Sequence, residues 1–227
     1  MKKSLTLIFL LCSIISFAQN TGTITDTRDG KVYKTVVVGS QTWTTENLNE
    51  STFRNGEPIP EAKTKEDWEK AGDEGKPAWC YYDNDSEKDK IYGKLYNWYA
   101  VNDPRGLAPI GYHIPSHTEW KRLIEFLEGV EKAGYKMKSK SGWYQDGNGG
   151  NTSGFTGLPG GFRNYDETFY LIGRVGIWWS STESNTYNAW GRQLTDYQDD
   201  IIHIDNGAYI VGRVKGDGLS VRCIKDK

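Results

Sequence analysis

Two adjacent tryptophans, Trp178 and Trp179, within the run Gly173-Arg174-Val175-Gly176-Ile177-Trp178-Trp179-Ser180-Ser181-Thr182, constrain this chain more than any other feature. Neighbouring side chains of an extended strand point to opposite faces, so each indole must be covered from a different side. The strand therefore lies between two layers, or between one layer and a ligand. Ser180, Ser181 and Thr182 can hydrogen-bond the local backbone, which predicts a turn there rather than further sheet.

Rings must also build much of the core elsewhere. The 227 residues include nine Trp and fourteen Tyr, although only 37% are hydrophobic, and 26 are Gly. Aromatics beside glycine suit a loop-rich, β-containing fold better than a helical bundle. The length suits one domain, and no proline- or serine-rich linker divides it. A formal charge of -2 supplies no basic footprint for nucleic acid.

Met1 to Ala18 has the pattern of a secretory leader: Lys2 and Lys3, an apolar run from Leu5 to Ile15, and the small-x-small site Ser16-Phe17-Ala18. The run is short for a membrane span. Cys12 follows Phe9-Leu10-Leu11 rather than small residues, which argues against a lipid anchor. The expected location is secreted or on the cell surface. Cleavage would take away two lysines, leaving 26 basic and 30 acidic residues, a formal charge of -4. It would also leave Cys80 and Cys223 as the remaining cysteines, an even pair that in an oxidising setting points to one disulfide. Two buried free thiols are the alternative.

Along the chain, Arg28-Asp29-Gly30-Lys31 supplies a hairpin turn before a strand over Val32 to Val38, which continues through Gly39-Ser40-Gln41-Thr42-Trp43 into another strand. Thr64 and Asp67 open a short helix anchored by Trp68 and ended by Gly72. Pro77 to Tyr82 reads as a buried strand. Asp83, Asn84 and Asp85 offer oxygens suited to calcium, although the rest of an EF-hand loop is missing and a solvated turn is the simpler expectation. No other cofactor is indicated. Leu95, Trp98 and Tyr99 fall at helical spacing, which predicts a helix over Tyr92 to Val101. Ser116-His117-Thr118-Glu119 is a capping box, and Trp120, Leu123, Ile124 and Leu127 mark the apolar stripe that follows it. His113 and His117 lack a third ligand nearby, so satisfied or exposed rings are expected rather than a metal site. The glycine-rich stretch from Asp146 to Gly154 lacks the Gly-Lys-Ser/Thr ending of a phosphate loop. Strands are expected from Phe155 onward, and Leu219, Val221 and Cys223 alternate as in a half-buried closing strand. Helices mixed with short strands define an α+β class.

The order of several short motifs is more specific than any of them alone. Gln41-Thr42-Trp43 with Glu46-Asn47-Leu48, Tyr92-Gly93-Lys94-Leu95-Tyr96-Asn97-Trp98, and Gly111-Tyr112-His113-Ile114-Pro115 with Glu119-Trp120 come first. Leu158-Pro159-Gly160-Gly161, Trp178-Trp179-Ser180-Ser181 and Ser220-Val221-Arg222-Cys223 complete the series. Together they resemble the Fibrobacter succinogenes major paralogous domain, over about Thr23 to Asp226. The resemblance implies a secreted or surface-exposed bacterial protein. It also implies a C-type-lectin-like C-terminal half, similar to sulfatase-modifying-factor domains, with short helices packed on irregular antiparallel sheets. The family often carries a cysteine where this chain has Ala108, so Cys80 with Cys223 is the pair available here.

In lectin-like relatives the ligand face follows the Trp-Ser-Ser motif, which corresponds here to Tyr187, Asn188, Trp190, Arg192, Tyr197 and Gln198. Tyr and Trp can stack on sugars or fill protein hot spots while Asn, Gln and Arg hydrogen-bond, although alternate residues of such a strand must line the core. The expected function is non-catalytic recognition of an extracellular polysaccharide or protein. The alternatives are an enzyme of the formylglycine-generating type and a structural envelope subunit. Catalysis of that type needs reactive cysteines or clustered metal ligands, and His113, His117 and His203 show no such clustering beyond the first two.

Overall fold

The computed structural model describes residues 20–166, 168–196 and 207–227. The leader with Cys12, and the candidates Tyr197, Gln198 and His203, lie outside these residues.

β1 (Thr21–Thr25) and β2 (Val32–Val38) form the hairpin expected around Asp29-Gly30, and β3 (Gln41–Thr44) pairs antiparallel with β2. Helix α1 (Lys65–Asp73) starts where the Thr64 hydroxyl accepts from the Asp67 N–H, and it buries Trp68. Next come β4 (Trp79–Cys80), α2 (Ser86–Tyr92), β5 (Leu95–Tyr96), α3 (Trp98–Val101) and β6 (Tyr112–His113). The capping box forms as expected: Ser116 Oγ accepts from the Glu119 N–H and Glu119 reaches back to Ser116, starting α4 (His117–Phe126). Then follow α5 (Val130–Met137), β7 (Phe162–Arg163), β8 (Phe169–Tyr170), β9 (Val175–Glu183), β10 (Asn188–Thr195), β11 (Ala208–Val214) and β12 (Ile224–Lys225). The sheets run β1-β2-β3-β12-β6 and β11-β10-β9, with β4-β5 and β7-β8 as two-stranded ribbons, all paired antiparallel. This is an α+β architecture of short helices on several antiparallel sheets.

Local signals fail where a neighbour overrides them. The helix expected over Tyr92 to Val101 is broken because Leu95 and Tyr96 pair with Cys80 and Trp79. Asn97 then starts the one-turn α3 by accepting from the Ala100 N–H. Only Trp79 and Cys80 of the expected Pro77–Tyr82 strand are extended in a ladder. The turn expected at Ser180-Ser181-Thr182 is instead the continuation of β9, and the register shift opposite Ala189 and Gly191 absorbs the irregularity.

The two indoles do point to opposite layers, and both are fully buried. Trp178 joins Trp43, Trp120 and Phe155 under α4, while Trp179 joins Tyr96, Leu219 and Val221 on the other side. Both therefore serve packing, not a ligand.

The C-terminal segment ties the sheets together. Gly218 bonds to Arg163 in both directions, Leu219 does the same with Tyr96, and Ser220 bridges Ile177 and Trp179. Val221 accepts from Leu48 and Cys223 from Thr44 before β12 enters the large sheet. Residues 218–224 are buried, so this segment is covered on both faces rather than half-buried as its alternation predicts.

The expected disulfide is not formed: Cys80 and Cys223 are both free and buried. Cys80, fixed by β4–β5 pairing, packs with Trp68, Ala62 and Leu95, whereas Cys223 sits in the main cluster with Tyr33 and Tyr112. Ala108 belongs to that same cluster. Burial pushes each thiol up to about 12.

Candidate functional site

A cleft of about 700 Å³ opens where α1, α3 and the loops around β7, β9 and β11 meet. Helix α1 contributes Glu69, Gly72 and Asp73, which recur at helical spacing and so share one face. The opposite wall carries Tyr99 from α3, Tyr165 from the loop after β7, and Thr186 and Tyr187 from the β9–β10 turn. Tyr165 and Tyr187 are 54% and 77% exposed, values that leave their rings free to meet a ligand.

The rings are held from below. Helix α1 meets the turn after β11 at Gly72 and Gly216, where a Cβ on Gly216 would lie 3.3 Å from Tyr165 Cβ. The Tyr165 N–H donates to Asp217 Oδ1 at 2.9 Å. Asp217 is buried, which raises its carboxyl to about 6, and it is paired with Arg213 at 2.8 Å. The buried Lys215 is a strut under the Tyr187 turn. Its N–H donates to the Tyr187 carbonyl at 3.0 Å and its ammonium to the Thr186 carbonyl at 2.8 Å, to Glu183, and over the Trp98 ring. Sequence reasoning placed Tyr187 among the ligand residues and missed Tyr99, Tyr165, Glu69 and Asp73. They come from three separate segments, and no local pattern links them.

Of the other candidates, the described Asn188, Trp190 and Arg192 do not line this cleft. Trp190 is half-buried against the His117 ring, with centroids 5.5 Å apart. Arg192 is buried, hydrogen-bonds the Ala208 carbonyl at 3.2 Å, and is pushed down to about 10 by burial. Asn188 is half-buried and begins β10, with its N–H donated to Asn185 Oδ1.

Three polar clusters elsewhere are structurally committed. Asp26, Asp29 and Glu50 bring carboxylate oxygens within 4.8 Å of one another, the only such group of potential metal ligands among the described residues. Arg28 pairs with two of the three, with Nη2 2.5 Å from Asp26 and Nε 3.7 Å from Glu50, and it also donates to the Thr52 and Leu107 carbonyls. Burial nevertheless raises Glu50 to about 7. In the calcium candidate, Asp83 pairs with Lys88, Asn84 donates to the Lys63 carbonyl and Asp85 caps α2. His113 lies between Glu119 at 2.9 Å and Asp226 at 2.6 Å, two carboxylates with no third ligand among the described residues.

Together these features describe an α+β domain with an open, tyrosine-lined cleft. The Fibrobacter succinogenes major domain matches residues 36–225, most of the chain, and the protein belongs to that family. No curated protein and no solved structure matches the chain significantly. No helix among the described residues is long and apolar enough to cross a membrane.

Proposed function

We propose that the protein is an exported, non-catalytic recognition module that holds an extracellular polysaccharide or protein in the cleft formed by Tyr99, Tyr165 and Tyr187. The observation that carries this reading is the convergence of three tyrosines, Tyr165 and Tyr187 exposed and Tyr99 half-buried, on one cleft of about 700 Å³, a volume within the range of small-molecule sites. Tyrosines combine a flat apolar face with a hydroxyl and lose little conformational freedom on binding. The secreted or surface location rests on the Met1–Ala18 leader pattern, and the lectin-like kinship on the motif resemblance. The thiols support recognition over formylglycine-type oxidation, because a buried thiol raised to about 12 carries almost no nucleophilic thiolate near neutrality. The reading calls for no cofactor.

The test is retention of the protein on a panel of insoluble polysaccharides and isolated cell envelopes, beside a Tyr165→Ala/Tyr187→Ala variant whose folding is checked by circular dichroism. Retention of the wild type on one material, lost in the folded variant, supports the cleft. Retention on none, or equal retention of both proteins, refutes it.

A further inference from the structure

The charge of the cleft narrows its ligand. Its described lining holds two carboxylates, Glu69 and Asp73, and no Lys, Arg or His. The nearby cations are engaged elsewhere: Lys215 on Glu183 and the Trp98 ring, Arg213 on Asp217. Lys65 pairs with Glu69 at 3.5 Å, but both side chains are two-fifths exposed or more, so the pair is weak. Three tyrosines border the same space, and an aromatic ring attracts a cation placed over its face. A cleft of this kind attracts a positive charge and repels uronates, sulfates and phosphates. Four hydroxyl-bearing residues, Tyr99, Tyr165, Tyr187 and Thr186, line it as well. Their hydroxyls can pair with the hydroxyls of a sugar ring, for which a lysine side chain has no counterpart.

We infer that the cleft takes a sugar bearing a free ammonium group, as in a deacetylated amino-sugar chain, with Glu69 and Asp73 facing the ammonium and the tyrosines covering the ring. This rests on the recognition reading above.

Calorimetric titration of the protein at low salt and mildly acidic pH, with a glucosamine tetramer and with its fully N-acetylated counterpart, tests it. The free-amine oligomer should bind about tenfold tighter, the scale expected of one cation facing aromatic rings and carboxylates in a partly desolvated site. Glu69→Gln and Asp73→Asn should each reduce that preference, and the double variant should reduce it most, weakening the free-amine oligomer more than its N-acetylated counterpart. Equal binding of the two oligomers, or undiminished preference in the double variant, overturns the inference while leaving recognition by the cleft standing. Competition by Nα-acetyl-lysine methylamide as effective as that by glucosamine overturns the sugar assignment. Binding of neither oligomer, when the polysaccharide panel shows cleft-dependent retention, overturns the amino-sugar inference alone. A panel that fails as well removes the recognition reading.

Discussion

Asn47 accounts for why three distant motifs occur together. Its Oδ1 accepts from Trp178 Nε1 at 2.8 Å and from Arg222 Nε at 2.6 Å, and its Nδ2 donates to the Tyr92 carbonyl and Ser220 Oγ. All four hydrogen-bonding positions of the amide are used. Arg222 is fully buried, lies over Phe155 at 4.6 Å, and donates further to the carbonyls of Thr44, Phe155 and Thr156. Carbonyl oxygens thus replace a counter-ion. Asn47→Leu orphans an indole N–H and a guanidinium N–H at once, and should lower stability by about 3 kcal/mol or more in urea denaturation. A loss below 1 kcal/mol would show that the junction is not structural. The sequence marked these residues as motifs but gave no sign of their meeting, because contacts across more than a hundred residues leave no local period. His113 provides the pH-sensitive residue. Burial disfavours its charge, but the bonds to Asp226 and Glu119 outweigh burial and raise its pKa above the usual 6.5. Its stabilising contribution is therefore complete below about pH 6.5 and is lost as pH rises through the elevated folded value. Glu119, held below its usual 4.5 despite burial by Ser116 and His113, loses its own contribution as pH falls through that lowered value. Melting temperature against pH should fall on the neutral side in the wild type and flatten there in His113→Gln. An unchanged profile in the variant would contradict this assignment.

At the scale of elements, legibility followed the reach of the signal. The α4 capping box, the β1–β2 hairpin and the α1 cap lie within a few residues of sequence and form as read. The Tyr92–Val101 segment does not, because Leu95 and Tyr96 find strand partners in Trp79 and Cys80 that outweigh its helical spacing. The cleft depends on the same kind of distant support. Lys215, far along the chain from α1 and α3, fixes the turn that presents Tyr187 without being part of the cleft lining. Lys215→Met keeps most of the stem but removes the ammonium bonds and its contact with Trp98, and should cost about 1–2 kcal/mol of stability. It should also weaken retention on the captured material, since the turn loses its anchor. A destabilised variant with undiminished retention would show that the turn does not position the ligand.

Across the whole molecule, the seam at residues 218–224 joins both larger sheets and both ribbons through backbone hydrogen bonds. Closure of the fold thus relies on a buried strand and paired carbonyls rather than on a covalent link between Cys80 and Cys223. Ellman titration should find both thiols unreactive in the native protein and both reactive in denaturant without reductant. Persistence of a single oxidised pair would contradict the free-thiol structure. The class of fold was readable from aromatic, glycine and cap patterns, but the cleft was not, since its walls are assembled only when α1, α3 and the C-terminal sheets pack. The most direct test of its role is tyrosine-ring NMR during titration with a soluble oligomer of whichever polysaccharide is retained. The account predicts that Tyr99, Tyr165 and Tyr187 shift together and saturate at one affinity. Shifts confined to the Trp190 and His117 surface, with these three tyrosines unmoved, would contradict it.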